Sequence, residues 1–95
     1  MIPKHELDLA IEIAKKYKIG KLYLIGSSLY EDDEDINDYD FAVNEIPEGV
    51  FFKFYGELFY KMSKTVDVID LSEASVKLKN IIFQEGKLVY EQKAA

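Results

Sequence analysis

The sequence predicts a small α/β domain, a single unit over residues 1–95. Three observations predict it. The 95 residues are 48% hydrophobic, with seven tyrosines and six phenylalanines, which is a globular composition with room for one core but not two. Segments with apolar residues every three or four positions alternate with short β-branched or apolar runs. Glycine and proline punctuate the boundaries between them, with no internal repeat or low-complexity tract.

Lys4 to Lys18 reads as the first helix, with Leu7, Ala10, Ile11, Ala14 and Tyr17 at helical spacing and Gly20 as its stop. Lys21 to Ile25 is a short apolar strand, covered on both faces. Gly26-Ser27-Ser28 then offers a tight turn and a hydroxyl cap for a brief helix. Glu31 to Asp35 has no apolar periodicity and reads as a loop. Asp38 to Val43 is a second strand, with Asp38, Asp40 and Ala42 on one face and Tyr39, Phe41 and Val43 on the other.

Pro47 and Gly49 precede a helix from about Val50 to Met62. Its six aromatic residues, Phe51, Phe52, Phe54, Tyr55, Phe59 and Tyr60, cover more than one stripe, more than a single core face needs. Either part of this surface meets a partner or the helix is sandwiched between other elements. Thr65 to Leu71 is a third strand, β-branched and buried, with Asp67 and Asp70 on opposite faces by parity. Ser72 is the expected N-cap of a helix running to about Glu85, which Gly86 ends. Lys87 to Glu91 forms a last edge strand. This order of elements builds a two-layer domain.

The formal net charge is −6, and all twelve cations are lysine. That balance argues against tight binding to a nucleic-acid backbone. Phosphate recognition must then use lysine, backbone N–H groups, hydroxyls or a metal ion, since no guanidinium fork exists. Without cysteine there is neither a disulfide framework nor a thiolate site. No apolar run reaches the roughly 20 residues of a membrane span. MIPKHELDLA lacks the apolar core of a signal peptide, so the expected location is cytoplasmic.

The stretch IGSSLYEDDEDINDYDFAV, from Ile25 to Val43, concentrates the chemistry. Asp38 and Asp40 leave one face of a strand, and two carboxylates held that close repel each other unless a hard cation lies between them. If the later strand lies alongside, Asp67 completes a three-carboxylate cluster suited to Mg²⁺. Gly26 lets the backbone approach a ligand closely, and the helix start after it presents free N–H groups to a phosphate. Each feature alone is common in turns and solvated strand ends. An EF-hand fails as a competitor: a loop begun at Asp33 puts Asp38 where its invariant glycine belongs and Asn44 where its bidentate glutamate belongs.

Taken together, Gly26-Ser27, ten residues, Asp38-Tyr39-Asp40 and a distant VDVIDL strand resemble the polymerase-β-like nucleotidyltransferase superfamily, and more narrowly its minimal nucleotidyltransferases. The tail VDVIDLSEASVKLKNIIFQEGKLVYE extends the likeness over nearly the whole chain. The resemblance implies that family's small fold, a mixed sheet of three or four strands with helices packed against it. It implies a nucleotide site at Gly26, Ser27 and Ser28. It also implies Asp38, Asp40 and Asp67 as the catalytic and metal-binding acids, with a pair of Mg²⁺ ions and ATP or another NTP as substrate. Asp67 is preferred to Asp70 as the third acid. The implied reaction is attack of an acceptor hydroxyl on the α-phosphorus, with release of pyrophosphate.

The family commonly carries a small-Arg-Gly run after Gly-Ser, where this chain has Ser28-Leu29-Tyr30-Glu31. A cation is missing, and the run from Glu31 to Asp35 adds negative charge. At ~4 Å and a dielectric of about 20, each unscreened like-charge pair would cost on the order of 4 kcal/mol, so this run is expected to be solvated and to point away from the site. With no room for an acceptor domain, the acceptor is expected in trans, on a helical HEPN partner of a toxin–antitoxin pair, or through homo-oligomerisation. The competing reading is an inactive binding module that masks a partner with its acidic loop. His5 is expected at the surface, Asp70 as a cap, and Lys64 at a solvated strand end.

Overall fold

Pro3 cannot donate a backbone hydrogen bond, and the first helix starts just after it. The computed structural model describes residues 1–93. Its elements are α1 (Lys4–Lys16), β1 (Lys21–Leu24), α2 (Ser27–Tyr30), β2 (Tyr39–Asn44), α3 (Phe51–Lys61), β3 (Val66–Asp70), α4 (Val76–Glu85) and β4 (Lys87–Glu91). Single 3₁₀ turns lie at Asp33–Asp35 and Leu71–Glu73. The predicted order of helices and strands is reproduced throughout.

The strands form one sheet in the order β3-β2-β1-β4. β1 pairs antiparallel with β2 and with β4, while β2 and β3 run parallel. Parallel neighbours need a crossover, which α3 supplies. Strand alternation then sorts the side chains. Leu22, Leu24, Phe41, Val43 and Val66 join Ala10 and Ile13 of α1 and Phe54 and Leu58 of α3 in the main core. Tyr23, Ala42 and Ile69 face the other way, packing with Leu71, Leu78 and Ile82. The sheet is therefore covered on both faces, not on one as a two-layer domain would be. The second face is itself apolar, and α4 is the element that buries it.

Four local expectations change. α1 stops at Lys16, before Gly20, because Lys18 takes the left-handed conformation at φ 58° and turns the chain. Gly20 serves instead for close approach: a Cβ there would stand 2.6 Å from the backbone oxygen of Glu45. β3 is an edge strand, not a buried one, and only its Val66 is fully enclosed. α4 is capped by Ser75, whose hydroxyl accepts the Leu78 N–H at 3.1 Å, and not by Ser72.

The surplus of aromatics on α3 divides in two. Phe54 is buried and Phe51 packs against the core, whereas Phe52, Phe59 and Tyr60 are 84%, 56% and 87% exposed. Among the described residues no helix is long and apolar enough to cross a membrane.

Candidate functional site

The parallel register sets Asp40 directly opposite Asp67. Both carboxylates leave the face that also carries Ala42 and Ile69, because side chains two apart on a strand share a face. They border a cavity of about 490 Å³, walled by Ile25, Phe41, Tyr55, Val68 and Ile69. Asp67 is exposed at the sheet edge, while Asp40 is half-buried. Burial, and then the negative charges of Asp67 and Asp38, push the Asp40 carboxyl above the ordinary aspartate range. This is the electrostatic signature of a group that lacks a counter-charge.

Asp38 precedes β2 and extends the same ladder: Tyr39 donates its N–H to the Thr65 carbonyl at 2.9 Å, and the Thr65 hydroxyl donates to Asp38 Oδ1. That hydroxyl occupies one oxygen of Asp38 and leaves the other free. The three aspartates are not drawn into one tight group. Among the described residues the carboxylates that do lie within 4.8 Å of one another are Asp32, Glu34 and Asp35, all exposed on the acidic loop. Asp38 turns instead towards the Thr65 hydroxyl.

Gly26 sits at φ 61°, a conformation that favours glycine, and a Cβ there would stand 3.3 Å from Asp40 Oδ2. The glycine thus brings the start of α2 against the carboxylates. Ser27 and Ser28 open that helix, so their N–H groups have no intrahelical acceptor. The Ser28 side chain does something the sequence did not suggest. It is fully buried, and its hydroxyl accepts the Asp40 N–H at 2.7 Å and donates to the Asp38 carbonyl at 3.3 Å. Ser28 therefore ties the glycine-serine turn to the Asp-x-Asp segment. It caps no helix, and only its backbone N–H is left to face a ligand.

Asp70 lies on the opposite face from Asp67, as parity requires, and accepts from the N–H and hydroxyl of Ser72 at 2.9 and 2.7 Å. It is a cap. Lys64 is not a solvated end: its ammonium donates to the Asp33 and Ile36 carbonyls at 2.5 and 2.7 Å and pairs with Asp33 Oδ1. Tyr39 packs in the main core, where its hydroxyl donates to Asp33 Oδ1 at 3.0 Å. These contacts hold Asp33 below the usual carboxylate range, the Tyr39 hydrogen bond first, and anchor the base of the acidic loop. His5 is exposed, as expected.

Sequence reasoning missed Thr65 and Tyr55. Thr65 becomes visible only once β3 is placed beside β2. Tyr55 is one of many aromatics on α3, and nothing local marks it as the ring whose hydroxyl donates to the Val66 carbonyl at 2.9 Å and whose side chain walls the carboxylate cavity.

A family model described as "Polymerase beta, Nucleotidyltransferase" matches residues 8–95. No curated protein matches the chain by sequence. Several solved structures share its fold. One is a toxin–antitoxin complex, MntA–HepT, at 20% identity over 95% of this chain and 74% of that one, with a TM-score of 0.71. A second is a toxin–antitoxin structure with AMP-PNP, at 22% identity over 92% and 74%, with a TM-score of 0.70. A third holds a tri-AMPylated HEPN toxin of Shewanella oneidensis in complex with an MNT antitoxin, at 20% identity over 94% and 72%, with a TM-score of 0.70. At these identities the likeness is one of fold.

Proposed function

As the chain belongs to the polymerase beta nucleotidyltransferase family, we propose that it transfers a nucleoside monophosphate, AMP from ATP, to a hydroxyl on a partner protein. The observation that carries this reading is the facing pair Asp40 and Asp67 beside the Gly26 turn, with Asp38 two residues before Asp40. Two carboxylates on one open cavity with a third two residues along the chain, and one of them pushed up by burial and by its neighbours' charge, match the donor set of Mg²⁺. Asp38, Asp40 and Asp67 would hold that ion, and when bound it supplies charge neutralisation for the carboxylates and the triphosphate.

The chain's own groups account for the remaining steps. The Ser27 and Ser28 N–H groups and the Ser27 hydroxyl receive the polyphosphate, with Gly26 allowing the approach. Asp67, the exposed member of the pair, accepts the proton of the acceptor hydroxyl. The acceptor oxygen bonds to the α-phosphorus, the bond to the bridging oxygen breaks, and pyrophosphate leaves with that electron pair. The acceptor is taken to belong to a helical HEPN-type protein, a reading supported by the MNT–HEPN complexes that share this fold. The exposed Phe52, Phe59 and Tyr60 of α3 are the surface for that contact.

A second reading has one observation in its favour. Every residue from Glu31 to Asp35 is exposed, which suits a protein that masks a basic partner surface without catalysis. Calorimetry separates the two. ATP should bind wild type only with Mg²⁺, and Asp40→Asn should lose that binding. Absence of nucleotide binding at millimolar ATP would leave the masking role.

A further inference from the structure

A second cavity, of about 260 Å³, adjoins the carboxylate cavity, sharing Ile25 and Ile69 with it. We propose that it is the subsite for the nucleobase; this rests on the nucleotidyltransferase reading above. Three features of the molecule lead there.

The first is continuity. Ile25 and Ile69 wall both cavities, and Gly26, which lies against Asp40 Oδ2, also lines the second one. A nucleotide with its phosphates at the Gly26 turn has its sugar and base within reach of this space. The second is chemistry. The walls are otherwise aliphatic, with Leu78, Ile81 and Ile82 of α4, and the only polar side chains among the lining residues are Tyr30 and Glu85. Such a lining rejects phosphate and accepts a flat ring. Its volume falls just under the roughly 300–1,000 Å³ of pockets that enclose a whole drug-sized ligand, so it suits a base and not an entire nucleotide.

The third feature is Tyr30. Its ring is 69% exposed, yet it is not free, because its hydroxyl donates to the Glu85 carbonyl at 2.7 Å and straps α2 to the end of α4. An exposed ring held in place at the mouth of an apolar cleft is a preformed stacking platform, and one that loses little freedom when a base settles on it. Tyr30 stands in the stretch where arginine and glycine are expected. The chain thus offers ring contact where it lacks a cation.

Isoleucine-methyl NMR and one neutral variant test this. Mg²⁺·ATP should shift the Ile25, Ile69, Ile81 and Ile82 methyls, whereas Mg²⁺·tripolyphosphate, which has no base, should leave Ile81 and Ile82 in place. Ile81 is 42% exposed, so Ile81→Asn should fold with an unchanged melting temperature. It should weaken ATP by roughly tenfold, the order of one base-stacking contact, and leave tripolyphosphate unaffected. If ATP binds but Ile81 and Ile82 do not move, and the variant binds ATP normally, the base lies elsewhere and only this subsite falls. Equal weakening of both ligands also overturns it. If neither ligand binds wild type in the presence of Mg²⁺, the subsite and the nucleotidyltransferase reading fall together.

Discussion

Asp40 and Asp67 are cross-strand partners in the parallel β2–β3 ladder, one half-buried and one exposed. Their mutual repulsion, added to the burial of Asp40, is a standing cost of the folded protein. Asp40→Asn should therefore raise the melting temperature in the absence of divalent metal by a few degrees. Under the proposed reading Mg²⁺ should raise the melting temperature of wild type, and the same variant should abolish that gain. Thermal melts with EDTA and with Mg²⁺ measure both effects, and a variant that melts lower without metal would contradict the repulsion.

Ser28 is the joint between the Gly26 turn and the carboxylates. Ser28→Ala leaves the half-buried Asp40 N–H without its acceptor, a loss of about 1–3 kcal/mol. Urea denaturation should show that loss, and under the proposed reading Mg²⁺-dependent nucleotide binding should weaken with it, since the turn and Asp40 are no longer fastened together. Unchanged stability would mean that the hydroxyl can be spared.

Glu57 carries the clearest pH dependence. It joins α3 to α1 through Lys16 and Tyr17 and also pairs with Lys61, and these hydrogen bonds, Lys16 foremost, lower its carboxyl from 4.5 to about 2. A depressed acid stabilises the fold above its unfolded value, and the contribution fades as pH falls from 4.5 towards 2. Melting wild type and Glu57→Gln side by side from pH 6 to pH 2 should give curves that converge at the acid end. Parallel curves would show that Glu57 contributes nothing through its charge.

The aromatic residues of α3 should separate cleanly by stability. Phe54→Ala opens the main core and should cost ~3–5 kcal/mol. Phe52→Asp and Phe59→Asp, on the exposed side, should stay within about 0.5 kcal/mol of wild type. Under the proposed reading they should abolish association with a HEPN-type partner, as followed by analytical ultracentrifugation. Unfolding of either exposed-side variant would mark its ring as core.

What the sequence determined by itself is local. Helical and strand periodicities, with the Gly26-Ser27-Ser28 turn marking the short α2, put all eight helices and strands in the right order, and parity separated Asp67 from Asp70 before any neighbour was known. The spacing of Gly26-Ser27 and Asp38-Tyr39-Asp40 marked the candidate site, because each pair lies within a few residues of chain. Boundaries and caps shifted where tertiary contact competed with propensity. Lys18 turned the chain ahead of Gly20, and Ser72 was taken by Asp70, leaving Ser75 to cap α4. Only the tertiary structure decided that β3 lies parallel to β2 with Asp67 facing Asp40, that Thr65 reaches Asp38, and that the Ser28 hydroxyl turns inward to fasten the Gly26 turn to the backbone of Asp38 and Asp40. It also decided that α4 covers a second face of the sheet. A period of two says which way a side chain points, but not which strand stands beside it. That choice is made by burial of apolar surface across the whole chain.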